Sequence, residues 1–263
     1  MFELNTKNII KILKLYFHYI SIPFRIIFII LFYFIFILSL VFISDISMNK
    51  LIFKNLQKLL MNVLSLNVIY DQDNINLLNK YIYSDTKFIA IYNHTNLIEP
   101  FLLFSLFENL SVVLNQFGVS YMPFFDIIYK RFNFIYTKNG ETTKKIINYS
   151  KNRKCGENVL AIAPGEGKPS ENPDENNITT FKSGAFVGML PILPIIIKFD
   201  DKFVDYNFDK GEYLIQAVLK IFLKQKHNVK VKVIDLVYPN KDESIDSFKN
   251  RVRDIMTKEY NEL

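Results

Sequence analysis

The sequence predicts an α/β chain attached to an N-terminal membrane anchor, on three observations. Ile26 to Ser44 is a run of 19 uncharged residues, the pattern after Asp45 alternates short apolar runs with helical stretches, and half of all residues are hydrophobic against 22% charged. At 263 residues the chain is long enough to bury a sizeable core without staples. Its single cysteine, Cys155, excludes an internal disulfide. With only His18, His94 and His227 beside that cysteine, no structural metal is expected. The net charge of +6 suits nucleic acid or an anionic membrane surface. Lys and Arg are spread along the chain without a basic tail, zinc finger or RNA-recognition motif, so no nucleic-acid partner is expected.

The anchor comes first. At 1.5 Å per residue the uncharged run reaches roughly the 30 Å of a hydrocarbon core. Asn8 to Ile20 carries Lys11 and Lys14 between apolar residues at helical spacing, and Pro23 and Arg25 set it off from the run, as in an interfacial amphipathic helix. Residues 1–50 are therefore expected to form one spanning helix or a two-helix hairpin dipping into one leaflet, with 51–263 as the second domain. A buried core helix is the bland alternative. Lysines and arginines flank both sides, so charge gives no orientation. The run is too long for a signal peptide and no small-residue cleavage site follows it.

Lys50 to Leu66 has amphipathic helical spacing and leads into the alternating region. Strands are predicted at Asn67 to Tyr70, Lys87 to Tyr92, Asn133 to Thr137, Val159 to Ala163, Leu193 to Lys198 and Val229 to Val237, each rich in Ile, Val, Phe or Tyr and bounded by polar residues. Helices are predicted at Leu97 to Asn109, Glu141 to Lys151, Lys210 to Lys226 and Glu243 to Tyr260. Lys168 to Asn177, with two prolines and a cluster of Asn, Asp and Ser, is the one clear polar loop.

Two segments carry candidate chemistry. His94 follows an apolar strand and Glu99 stands five positions on. Inside one helix those side chains would diverge by about 140°. With His94 on the strand-to-helix loop and Glu99 at the helix start, the loop can fold the imidazole onto the carboxylate. That fixes the tautomer and leaves the other nitrogen as a general base. A purely structural histidine is the plain alternative. The second segment, IAPGEGKPSEN, ends a strand with glycines whose N–H groups can approach an anion. It is not a P-loop, because Ile162 and Pro169 stand where glycine and Ser or Thr are required.

These pieces, in this order over roughly residues 67–257, closely resemble the glycerolipid acyltransferase family of 1-acylglycerol-3-phosphate and lysophospholipid acyltransferases. The residues carrying the resemblance are Asn93, His94 and Glu99 in NHTNLIEP, then FNFIYTK ending in Lys138. Pro164, Glu166, Gly167 and Ser170 follow, then Phe181 to Phe186 in FKSGAF, and finally Pro191 to Pro194. Four features depart from the family pattern: Glu99 replaces Asp, Lys138 replaces Arg, Gly165 interrupts Pro-Glu-Gly, and Lys168 stands in place of Thr.

The resemblance implies a mixed, largely parallel sheet flanked by helices, with His94 as general base and Glu99 as its holder. It implies that Asn93, Lys138, Glu166, Gly167, Lys168, Ser170 and Lys182 contact substrate, with backbone N–H groups of 165–168 facing the oxyanion. The substrates implied are a lysophospholipid or lysophosphatidic acid and acyl-CoA or an acyl carrier protein. No cofactor is implied beyond that co-substrate, and the setting is a bilayer, an endomembrane such as the endoplasmic reticulum with the site at its cytoplasmic interface. A CoA-independent transacylase of the tafazzin type, a non-catalytic lipid-binding module and a thioesterase are the other readings. The acceptor headgroup and the oligomeric state are open.

Overall fold

The computed structural model describes residues 6–107, 109–115, 124–132, 134–137, 142–165, 178–201, 205 and 213–263. Its first element corrects an expectation. Helix α1 (Thr6–Phe42) runs unbroken through Pro23, so no hairpin forms between Thr6 and Phe42. Proline costs a helix interior about 3 kcal/mol. Packing of Ile22, Ile26 and Ile29 against Ile221 and Phe222 offsets that cost, and the Ser21 hydroxyl donates to the His18 carbonyl at 2.6 Å beside the interruption.

One stripe of α1 belongs to the domain. Phe36, Ile37 and Leu40 are buried in the core, with the Phe36 ring stacked on Phe53 at 4.9 Å. The other faces are apolar and open to solvent, Phe42 being 80% exposed. An apolar helix with so much surface uncovered is a candidate membrane anchor. Asp45 caps α2 (Ile46–Val63) by accepting from Ser47 N at 2.8 Å. Arg131 and Asn49 both donate to the Ile43 carbonyl, at 2.8 and 3.0 Å, which closes the turn between the two helices. The boundary expected at residue 50 thus falls inside α2.

The remaining elements alternate. They are β1 (Leu66–Tyr70), α3 (Gln72–Ile82), β2 (Ile89–Tyr92), α4 (Glu99–Leu106), β3 (Leu110–Asn115), α5 (Phe125–Phe132), β4 (Ile135–Thr137) and α6 (Thr142–Asn152). After these come β5 (Val159–Ile162), a 3₁₀ turn (Ser183–Ala185), β6 (Ile192–Phe199), α7 (Leu214–Leu223), β7 (His227–Val233) and α8 (Ile245–Glu262). The strands form one sheet in the order β1-β7-β6-β2-β5-β3-β4, parallel at every pairing except β6 with β7. Side chains alternate across it. Ala90 and Tyr92 enter the core on one face with Leu193, Ile195 and Ile197, whereas Ile89 and Ile91 join Ile192, Ile196 and Phe248 on the other. Burial on both faces is why the central strands read as continuous apolar runs.

Candidate active site

Three neighbouring parallel strands, β5, β2 and β6, end at one edge of the sheet. In open α/β sheets this carboxyl edge is where ligands bind. Asn93, the first residue beyond β2, does not offer its amide to this edge. Its Nδ2 donates to the Ile197 carbonyl at 2.7 Å and its Oδ1 accepts from Ile197 N at 2.8 Å, so the side chain adds a rung to the β2–β6 ladder. Expected among the substrate contacts, Asn93 instead fixes the point where the chain leaves the sheet.

His94 and Glu99 meet across the loop that follows. The ring Nδ1 lies 2.7 Å from Glu99 Oε2, and the Glu99 side chain is fully buried. A buried carboxylate is costly unless its lone pairs are met, and here the loop meets them. Oε2 also accepts from Thr95 N at 2.8 Å and Asn96 N at 3.3 Å, while the Thr95 hydroxyl stands 3.1 Å from Oε1. Asn96 Oδ1 accepts from Ile98 N at 3.0 Å, which turns the chain into α4. Glu99 is the first residue of that helix and Pro100 the next, so the negative charge sits at the positive end of the peptide dipoles and no N–H is wasted on the proline.

A carboxylate can only accept, so Nδ1 donates to Glu99, and in the neutral ring that tautomer leaves Nε2 as the basic nitrogen. The ring is 22% exposed, enough to be reached from outside. Tyr92 crosses it edge to face at 5.8 Å. Burial, and then the Glu99 charge, push the Tyr92 phenol well above its ordinary range, so it stays neutral beside the imidazole. The constellation can take a proton at Nε2 and balance the resulting imidazolium against Glu99.

β5 brings the second segment alongside. Ile91 pairs with Ile162, so Pro164 and Gly165 emerge next to Asn93 and His94. A Cβ at Gly165 would collide with the Thr179 hydroxyl. A side chain at this position would therefore oblige Thr179 to turn away. Lys182 N donates to the Pro164 carbonyl at 2.9 Å, which ties FKSGAF to this loop. The block is held from below, with Phe181 and Phe186 buried and stacked at 6.1 Å and Phe248 edge-on to Phe186 at 5.8 Å. The Lys182 side chain is exposed. Lys138, Glu166, Gly167, Lys168 and Ser170 lie outside the described residues. Among the described residues, no group of three or more His, Cys, Asp or Glu is placed to hold a metal ion.

The sequence reading missed Thr95, Asn96 and Asp205. Thr95 and Asn96, just before the apolar Leu97 and Ile98, were a usable signal, since such side chains turn and cap helix starts. Asp205 follows β6, and its Oδ1 lies 2.9 Å from Thr95 Oγ1. No local pattern links it to a residue 110 positions earlier.

No family model and no curated protein matches this sequence. By structure the chain has the fold of a glycerolipid acyltransferase, the fold that the motif resemblance implies. It is similar to the crystal structure of the 1-acyl-sn-glycerophosphate (LPA) acyltransferase PlsC from Thermotoga maritima, with a TM-score of 0.64 and 15% identity over 98% of this chain and 99% of that one.

Proposed function

We propose that this chain is a membrane-associated O-acyltransferase that moves a fatty acyl group from acyl-CoA to the hydroxyl of a lysophospholipid or lysophosphatidic acid. The observation that carries the reading is the 2.7 Å contact between His94 and the buried Glu99, at the strand ends of an acyltransferase fold. His94 Nε2 takes the acceptor hydroxyl proton as the oxygen bonds to the thioester carbonyl. Collapse of the tetrahedral intermediate then breaks the carbon–sulfur bond, and the departing thiolate recovers the proton from the imidazolium. Backbone N–H groups of 165–168 are the proposed oxyanion donors. Lys138, Lys168 and Lys182 are the proposed partners of the acceptor phosphate, with Glu166, Gly167 and Ser170 shaping the loop. No cofactor enters this scheme. The open apolar faces of α1 and the positive net charge fit an anionic leaflet, where both lipids concentrate.

The test is acyl transfer on membranes carrying the wild-type chain or His94→Ala, with labelled acyl-CoA and a panel of lysophospholipids and glycerol 3-phosphate, read by lipid mass spectrometry. Acylated lipid should form and fall by about 10² to 10⁴-fold in the variant. Product only when a phospholipid replaces acyl-CoA would instead identify a transacylase. Free fatty acid alone would identify a thioesterase, and lysolipid binding without turnover a non-catalytic module.

A further inference from the structure

Every charged or hydrogen-bonding side chain between Lys11 and Arg25, tyrosines apart, falls on one stripe of α1. Lys11, Lys14, His18, Ser21 and Arg25 recur at spacings of three and four, which brings them to a single face of the helix. That face meets the domain at the end of α7. His18, 7% exposed, has its Nε2 3.3 Å from the Leu223 carbonyl, and a carbonyl only accepts, so the ring donates to a last-turn carbonyl that a helix leaves unpaired. Between α1 and the turn from α7 to β7 the stripe lines a cleft of about 400 Å³, walled by Lys14, Phe17, His18, Ser21, Arg25 and Gln225.

Two cations line this cleft. Among the described residues no carboxylate lines it, and the side chains of Lys14 and Arg25 have no hydrogen-bond or ion-pair partner. The acids that reach the turn, Asp200 and Asp201, each lie 3.1 Å from Lys224 Nζ. The Ser21 hydroxyl already donates to the His18 carbonyl at 2.6 Å, so the lining groups with protons to offer are Lys14, Arg25 and the Gln225 amide.

An ammonium and a guanidinium about three turns apart on an otherwise apolar helix call for an anion. The surroundings say what carries it. Phe17, on the wall of the cleft, is 67% exposed, and the outer faces of α1 are apolar, so the ligand is an anion joined to something that belongs among acyl chains. We propose that the cleft is a binding site for a phosphate group, supplied by the headgroup of a lipid in the leaflet that covers α1. Lys14 and Arg25 hold the phosphate oxygens, Arg25 with the planar fork that suits them, and Gln225 donates from the opposite wall. The lipid source rests on α1 meeting a bilayer, whereas the phosphate chemistry does not.

The cleft is separate from His94 and stands at the same edge of the sheet. Gln225 precedes β7, and β7 begins where β6 ends, with Phe199 paired to Val229, while β6 lies between β7 and β2. A headgroup held there keeps the catalytic edge against the leaflet.

The experiment measures flotation of the full chain with vesicles of phosphatidylcholine alone or mixed with phosphatidic acid. It compares the wild type with Lys11→Gln, Lys14→Gln, Arg25→Gln, Arg25→Lys and Gln225→Ala. Lys11 shares the stripe but does not line the cleft, so it reports the attraction of any basic residue to an anionic surface. Lys14→Gln and Arg25→Gln should weaken binding to the mixed vesicles several times more than Lys11→Gln does. Gln225→Ala, which removes no charge, should weaken it about threefold, and Arg25→Lys should fall between Arg25→Gln and the wild type. Equal losses for Lys11→Gln and Lys14→Gln with Gln225→Ala unmoved would overturn the site in favour of diffuse charge. Native mass spectrometry of the detergent-solubilised chain, with phosphatidic acid or inorganic phosphate as the probe, distinguishes the sources. A lipid adduct lost in Arg25→Gln supports the inference, while phosphate bound without lipid overturns the lipid source. Acyl transfer from detergent-dispersed substrates should stay within about twofold in these variants; a loss equal to that in binding would place the cleft in the catalytic site. His94→Ala should bind vesicles as the wild type does, so an inactive chain tests the cleft equally well.

Discussion

Glu99 stands where the family pattern that the sequence resembles has aspartate, and the loop around it fits the longer side chain. Its two oxygens serve the His94 ring, the Thr95 amide and the Thr95 hydroxyl together. Shortening the reach by one methylene cannot keep every contact. Glu99→Asp should therefore lower kcat about tenfold, even though it supplies the family's own residue, as expected for one lost charge-assisted hydrogen bond. Equal kcat in a steady-state assay would show that the loop follows the carboxylate. At this scale the sequence spacing exposed the pair, because a histidine on a loop and an acid at a helix start can meet while the same spacing inside a helix cannot. Thr95 and Asp205 were hidden for opposite reasons: one is a common residue type whose role depends on the turn, the other lies across a strand pairing that no local pattern encodes.

Among the elements, β2, β5 and β6 were legible as continuous apolar runs because they are buried on both faces, whereas β7 was legible through its alternation of valines with polar residues. β3 escaped because Ser111 interrupts its run, yet that serine is fully buried and donates to the Phe132 carbonyl at 3.0 Å. α3 escaped because its asparagines read as loop, although Asp71 caps it through Asp73 N at 3.0 Å. α5 is only 8 residues long, too short for a periodic signal. His227, at the start of β7, carries the pH prediction. Its ring is buried, with Nε2 2.8 Å from the Ile221 carbonyl, and burial pushes its pKa below the ordinary histidine range. The folded chain therefore prefers the neutral ring. Its contribution to stability is present above the unfolded value of about 6.5 and is lost as pH falls toward the lower folded value. Melting temperature should decline from pH 7.5 to 5.5, and His227→Gln should flatten that slope. An unchanged slope in the variant would assign the decline to other groups.

At the scale of the whole molecule, α1 has two allegiances. Phe36 is buried against Phe53 and Phe132, with ring centroids at 4.9 and 6.1 Å, while Leu38 on another face is 54% exposed. Phe36→Ala should cost about 3–5 kcal/mol, measured by denaturant unfolding in detergent. Leu38→Ala should leave stability within about 0.5 kcal/mol of wild type and weaken vesicle binding instead. Equal effects of the two on stability would mean that α1 sits in the domain on both sides.

The pairing of the sheet's first strand with its last has a consequence for how the chain is made. Asn67 on β1 bonds Asn228 on β7, 161 residues later, at 3.0 Å. A ribosome delivers α1 long before β7, the strand that joins β1 to the rest of the sheet. Until then the inner stripe of α1 has Phe53 of α2 as its partner but lacks Phe132, Ile221 and Phe222, which come later in translation. The slow, long-range closure of the sheet therefore comes last.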